Sequence, residues 1–484
     1  MSYDVVVVGG GIGGLTVAAL LSTRGLSTCL LERQSEPGGC VSRVEFGNHE
    51  FDPGMGLYSE WGPGEIHQQI FSELKVSAPA ASILNTEYVV RLPDQTDVRL
   101  ARDEQSFFSE LRKAFPECGD RAVQIYETIH RTAAKWKRTQ SFPADTRKGS
   151  TIEIMRRFWS ETGQSKGTTL LSLLTDTSDR FKSFLDAQLR AFGRPPLERC
   201  GLVPASLSLT AFRRNLYSIA GGPGKLAEVL GDTLKAQGGS LRLNSPVLRL
   251  AYNENGEAVG VDLLSGERVF ARRAIISNMT LWDTYGKLIG LNRTSAETKK
   301  RLSGLQAEGA YLIYASMDQA ALKHLPSDRL LVVPTLSHGE FESDVSEFTV
   351  NTIGVSAPQG KCAVTIKSRT RVEGWFTFQS STEDYDEWDQ AALESLWAQL
   401  HRMVPELGGD IEVIETANPR TFYEQTRRKL GMVLGVEESL EVPGENPYGT
   451  SLPNVFIVGD TVSSAATLAS VSRTALNLAN ELTR

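Results

Sequence analysis

Gly9, Gly11 and Gly14 stand in the spacing G-x-G-x-x-G, and Glu32 follows eighteen residues after the last of them. Together these residues can hold the pyrophosphate and ribose of a dinucleotide, and each has its own physical reason to be there. Gly9 permits a tight turn, Gly11 lets a pyrophosphate approach the backbone, and Gly14 lets a helix pack closely on a strand. The helix that opens there offers free N–H groups and a positive dipole end to phosphates. A carboxylate at Glu32 is placed to accept hydrogen bonds from ribose hydroxyls. These residues leave NAD and FAD open. A second glycine turn, Pro37-Gly38-Gly39, follows Glu32-Arg33; it has no role in a simple nicotinamide domain, and an ordinary surface turn accounts for it equally well.

The elements needed to position this set can be read around it. Tyr3 to Val8 is a β-branched run, apolar after Asp4, as a parallel strand covered on both faces requires. It leads through the glycines into a helical stretch, Leu15 to Arg24, and a second strand, Ser27 to Leu31. Nucleotide-like segments return much later. Tyr217 to Gly224 precedes an amphipathic helix, Lys225 to Gln237. A β meander with regular turns then runs through Val247 to Ala251, Ala258 to Leu264 and Arg268 to Ser277. Asn454 to Val458, Gly459-Asp460-Thr461 and a helix from Ala466 to Leu482 repeat the opening pattern. Between these pieces, Ser106 to Phe115, Ala122 to Trp136, Thr151 to Thr162 and Thr169 to Ala191 read as helices. Tyr311 to Met317 and Ala363 to Ser368 read as strands, and Ala391 to Val404 as a helix.

Composition sets the outer limits. The chain has 484 residues, of which 40% are hydrophobic and 23% charged, as in ordinary folded proteins rather than disordered ones. That length exceeds one core and suggests interleaved domains. A net charge of -7 gives no global drive towards nucleic acid or anionic lipid, so no nucleic-acid partner is expected. Five scattered cysteines without C-x-x-C suit a reducing compartment. Six histidines show no metal spacing, and no metal is expected; His49 draws notice because it precedes Phe51-Asp52-Pro53-Gly54. H-E-x-x-H, G-x-S-x-G and the phosphate-loop lysine motif are absent from the sequence. Val5 to Leu21 is apolar but holds five glycines and is short for a membrane span. The start lacks the basic segment of a signal peptide, so the expected location is cytoplasmic. One stretch departs from the acidic average: Arg131 to Phe158 carries eight basic residues against two acidic ones, interleaved with Trp136. It reads as a peripheral contact for an anionic membrane, with a solvated helix face as the plainer alternative.

Taken together, these segments resemble the FAD-dependent family of phytoene desaturases, carotenoid isomerases and carotenoid 3,4-desaturases, near the monoamine oxidases. The resemblance is carried by Phe51-Asp52-Pro53-Gly54, Gly221-Gly222-Pro223-Gly224, the stretch Ser277 to Leu288, Asn418-Pro419-Arg420-Thr421-Phe422, and Val458-Gly459-Asp460. It implies an α/β, two-lobed flavoprotein whose Rossmann-like FAD-binding domain is interleaved with a mixed sheet-and-helix substrate domain. The FAD-binding domain would comprise 1-64, 216-290 and 416-484, and the substrate domain 65-215 and 291-415, with a mostly helical, membrane-facing part at 100-200. FAD is the implied cofactor. Gly9, Gly11 and Gly14 would face its pyrophosphate, Glu32 its adenosine ribose, Val247 the adenine through its backbone, and Gly459-Asp460 the pyrophosphate or ribityl chain. Arg33 and Gly39 would line the same groove.

The pattern is broken twice. Cys40 stands where the family has an arginine, with compensation by the nearby Arg43 left open, and Thr461 to Thr467 replaces a Pro-Gly-rich turn. Met55, Tyr58 and Trp61 would line a substrate channel, although core packing accounts for them as well. The implied function is hydride transfer between flavin and a lipophilic isoprenoid or polyene, as a desaturase or isomerase. Hydride chemistry would rest on the flavin, with no dedicated acid or base. A flavin-dependent amine or small-molecule oxidase is the alternative, and a non-catalytic flavin-binding protein a third reading.

Overall fold

The computed structural model describes residues 1–54, 58–140, 168–305, 308–334, 348–352, 355–376, 382–409, 411–435, 448–463 and 467–483. Val5, Val6 and Val7 of the first strand, Ser2–Val8, are buried on both faces, which fits a central position in a parallel sheet. Thr28–Leu31 pairs parallel on one side of it and Arg268–Ser277 on the other. Ser240–Arg242 extends the sheet beyond Thr28–Leu31, and Val455–Ile457 pairs parallel with the last residues of Arg268–Ser277. The lower half of that long strand instead pairs antiparallel with Ala258–Leu263, which pairs with Val247–Tyr252.

Helices Ile12–Thr23, Gly224–Ala236 and Leu468–Leu482 bury Leu15, Leu230 and Leu478 in one core with Val5 and Val7. The helix Ile66–Leu74 joins the same core through Ile70, Phe71 and Leu74, so the expected break after residue 64 cuts through continuous packing.

A second, mixed sheet follows the order Ile411–Ala417, Gly309–Asp318, Lys361–Thr370, Phe348–Asn351, Arg329–Val332, Val89–Arg91, Asp97–Arg99. It is antiparallel except where Arg329–Val332 runs parallel to Val89–Arg91. Against it stands a helical layer whose core gathers Phe107, Phe115, Tyr126, Phe181 and Phe184.

The expected helix Thr169 to Ala191 is two elements, a 3-10 turn at Leu170–Leu173 and a helix at Asp179–Ala191. The cause is local: the Ser178 side chain accepts a hydrogen bond from the Phe181 N–H and so starts the helix there. The helix expected at Thr151 to Thr162, and the basic stretch beyond residue 140, lie outside the described residues. No helix among the described residues is long and apolar enough to cross a membrane.

Two tests follow from the packing. Gly431 has φ +64°, and an added Cβ would lie 1.8 Å from the Pro419 carbonyl oxygen. Gly431→Ala is expected to cost more than about 2 kcal/mol in urea unfolding, through strain and backbone displacement. Gly304→Ala, at a helix end with nothing within 4 Å of the added carbon, should stay within about 0.5 kcal/mol of wild type. His67 is buried, which depresses its pKa to about 4 despite the hydrogen bond to the Glu60 carbonyl. The unfolded chain therefore binds the extra proton first as pH falls below about 6.5. Its contribution is complete above that pH and is lost towards pH 4, by about 3 kcal/mol. The difference in unfolding free energy between wild type and His67→Gln should change by that amount across this window.

Candidate dinucleotide site

The site forms where three backbone segments cross at the carboxyl ends of the parallel strands. Gly9 turns with φ +104°, and the helix Ile12–Thr23 begins directly behind it. An added Cβ at Gly14 would fall 2.2 Å from the Gly9 carbonyl oxygen, so only glycine lets this helix sit so close to the strand. No side chain caps the helix at Gly11, which leaves first-turn N–H groups directed at the space a phosphate would fill. The second glycine turn lies against the first: the Gly38 N–H donates to the Gly10 carbonyl at 2.8 Å, and Gly39 faces Gly11.

Glu32 closes the end of the next strand. Its carboxylate accepts from the Gly10 N–H at 2.5 Å and from the Gln34 N–H at 2.8 Å. These bonds fix the carboxylate at the mouth of the turn while lone pairs remain for a ribose hydroxyl. The Ser245 N–H donates to the Glu32 carbonyl at 2.7 Å, which brings the chain entering Val247 to the same end of the site. Arg33 donates to the Gln425 carbonyl at 3.3 Å. The segments expected to hold a dinucleotide half are therefore adjacent, and their chemistry fits one.

Asn278 is the residue the glycine reading did not single out. It follows the strand Arg268–Ser277; its backbone N–H donates to the Val8 carbonyl at 2.8 Å and its side-chain amide to the Val458 carbonyl at 2.9 Å. Added Cβ atoms at Gly11, Gly13 and Gly459 would each lie within 3 Å of its side-chain amide. The Gly13 position also touches Val471, near the start of the helix Leu468–Leu482, so two helix N-termini stand side by side at the site.

Arg428 is the second. Its guanidinium pairs with both carboxylate oxygens of Asp460, at 3.1 and 2.5 Å, and its Nε donates to the Met432 carbonyl. Burial works against its charge, but the carboxylates of Asp460 and Asp283 around it hold its pKa above the ordinary value. Arg43, left open as a substitute for the missing arginine, is 60% exposed and paired with Glu45 and Glu50 on the neighbouring hairpin. The half-buried cation beside Cys40 is thus Arg428. Burial pushes the Cys40 thiol up, with Arg428 acting in the opposite direction, so Cys40 is a space-filling thiol rather than a thiolate.

Asp283 sets the aim of Arg428. Its carboxylate accepts from the Thr280 hydroxyl and from the Lys429 N–H at 2.9 Å, and pairs with Lys287 at 2.7 Å. The Thr461 hydroxyl accepts from the Leu281 N–H, and the Ser463 hydroxyl donates to the Asp460 carbonyl. Residues 464–466 lie outside the described residues.

The expected channel residues separate. Met55 lies outside the described residues. Tyr58 is buried beside Asp52, whose carboxyl is raised by burial. Trp61 stacks on His67 at 4.2 Å, on the far side of Glu60 from Tyr58 in sequence. His49 bonds through Nε2 to the Ser316 hydroxyl at 2.8 Å and stacks on Phe51, tying the hairpin to the second sheet.

Residues 7–74 match the family model described as an NAD(P)-binding Rossmann-like domain. The chain is 26% identical to the chloroplastic prolycopene isomerase of Daucus carota, over 95% of this chain and 76% of that protein. It is 22% identical to the all-trans-retinol 13,14-reductase of Danio rerio, over 94% of this chain and 82% of that protein. Among solved structures, an oxidoreductase from Methanosarcina mazei superposes with TM-score 0.64 at 16% identity, covering 99% of this chain and all of that one. Putrescine oxidase bound to putrescine superposes with TM-score 0.63 at 15% identity, covering 99% of each chain. These two likenesses show the fold.

Gly14→Ala should abolish dinucleotide retention, because the helix must withdraw from the turn. Arg428→Met leaves the Asp460 carboxylate unpaired and should weaken retention by tenfold to hundredfold, or about 1–3 kcal/mol. The check is the dinucleotide-to-protein absorbance ratio after gel filtration, with thermal unfolding as a control for folding.

Proposed function

We propose that the chain is an FAD-dependent oxidoreductase of the kind formed by carotenoid isomerases, phytoene desaturases and carotenoid 3,4-desaturases, and that it moves hydrogen on a lipophilic polyene, as an isomerase or desaturase. The observation that carries the cofactor half is the cradle at Gly11, where uncapped helix N–H groups, a crowded glycine turn and Glu32 converge. The substrate half is supported by matches along nearly the whole chain to a prolycopene isomerase and a retinol reductase.

In this reading the first turn of Ile12–Thr23, with Gly9, Gly11 and Gly14, would hold the FAD pyrophosphate. Glu32 would hold the adenosine ribose and the Val247 backbone the adenine. Gly39 and Cys40 would line the groove, with Arg33 at its edge. Asp460, held by Arg428, would accept hydrogen bonds from the pyrophosphate-ribityl part of the cofactor, with Gly459 beside it packed on Asn278. Bound FAD supplies a two-electron hydride acceptor or donor. The protein's part is to orient the polyene and keep water out. Phe46, Phe51 and Tyr314 pack together with centroids 5.1 to 6.2 Å apart beside Asp52, an apolar wall suited to that task. The stretch 131–158 would rest on an anionic membrane and admit the substrate.

The deciding experiment uses the purified flavin-loaded protein under anaerobic conditions. A poly-cis polyene in liposomes should either bleach the oxidised flavin or, with flavin reduced beforehand, shift to the all-trans spectrum. Putrescine should leave the oxidised flavin unchanged. Bleaching by the amine without any change in the polyene would replace this reading with an amine oxidase. Sedimentation with anionic vesicles should also be seen at low salt and should fall as salt rises.

A further inference from the structure

A cavity of about 110 Å³ lies between the start of the strand Arg329–Val332 and the loop entering the helix Gly224–Ala236. Asp52, Tyr58, Arg329, Ser218 and the Gly221-Gly222 backbone line it. Gly221 and Gly222 both have positive φ, at 76° and 70°, so the loop presents bare backbone to the cavity.

Two of the residues that line it carry a buried polar atom with no hydrogen-bond partner. Arg329 is 3% exposed; it reaches the Tyr88 hydroxyl at 3.4 Å, but its Nε has no hydrogen-bond partner. No ion pair joins it to a carboxylate among the described residues. The Tyr58 hydroxyl is also buried and lies close to Asp52 without making a well-formed hydrogen bond. Asp52 is a poor counterion. One of its oxygens already accepts from the Gly54 N–H at 2.7 Å, and burial favours its neutral form against the pull of Arg329 and Lys367. A buried guanidinium whose Nε makes no hydrogen bond, and which forms no ion pair with the carboxyl beside it, is unfavourable unless a ligand completes it.

We propose that this cavity is a carboxylate subsite, in which Arg329 Nε–H and Tyr58 O–H donate to the acid group at one end of a polyene. This rests on the polyene reading above and narrows it from hydrocarbons to polyene acids. The volume suits a head group rather than a whole polyene chain. An analogue without the acceptor would leave both donors unpaired, which is the condition under which polar pockets discriminate strongly.

The test is titration of flavin-loaded protein with retinoic acid, its methyl ester and β-carotene in detergent, and separately with octanoate and octanol. Retinoic acid should bind at least tenfold more tightly than its ester. Arg329→Gln should erase that preference, and Arg329→Lys should keep part of it. Tyr58→Phe should reduce it severalfold, and it carries the test should Arg329→Gln fail to retain flavin. If no polyene binds but octanoate is preferred over octanol in an Arg329-dependent way, the subsite stands and the polyene reading falls. Equal binding of acid and ester together with equal binding of octanoate and octanol overturns the subsite. So does an acid preference that survives Arg329→Gln. Binding of β-carotene in those cases would leave the broader polyene reading standing.

Discussion

The side chain of Asn278 occupies space that Gly11, Gly13 and Gly459 leave free, and the dinucleotide site depends on that contact. Gly9 and Gly14 have no side chains at the same crossing, so strand, helix and C-terminal turn all close on one amide. Hydrogen bonds from Asn278 to Val8 and Val458 then hold the two neighbouring strand ends at a common level. A larger residue would force the helix N-termini apart, and a smaller apolar one would leave the Val458 carbonyl without its donor. The glycines are thus half of a steric fit whose other half lies in a distant part of the chain.

A similar division of labour explains how the site tolerates Cys40. The cation that stands beside Cys40 is Arg428, after the helix Pro419–Thr426. That helix is started by Asn418, whose side chain accepts from the Arg420 and Thr421 N–H groups. The turn behind it folds back on Pro419 at Gly431, and Asp283 anchors it by holding the Lys429 N–H. Many of the polar residues in Ser277 to Leu288 thereby acquire a structural purpose. Ser277 bonds to Thr284 at 2.7 Å, Thr280 to Asp283, and the Trp282 indole to the Leu302 carbonyl.

What the sequence disclosed and concealed follows the range of the interactions. The strand, glycine turn, helix and Glu32 were legible because local backbone geometry demands those residue types. The β meander was legible through alternation and turns at Asn255-Gly256 and Ser265-Gly266. Arg428 was not, because Arg427-Arg428-Lys429 reads as three surface charges, and only the tertiary turn sends one inward. Arg43 misled for the opposite reason. It lies close in sequence to Cys40, but Glu45 and Glu50 across the hairpin hold it outside. The break between Leu173 and Asp179 was written locally, in Ser178 as a cap, yet the helical period on either side ran over it.

The order of the strands also has a bearing on biosynthesis. Ser2–Val8 pairs with Arg268–Ser277, which in turn waits for Val455–Ile457. Pairings between such distant segments close large loops and fold slowly. At about 5–20 residues per second on the ribosome, tens of seconds pass between the emergence of the glycine turn and that of Asp460. Until Arg268–Ser277 emerges, the valines of the first strand have no partner on one side, and Arg268–Ser277 then waits in turn for Val455–Ile457. The nascent chain therefore carries an unpaired apolar strand edge long before the two halves of the site can meet.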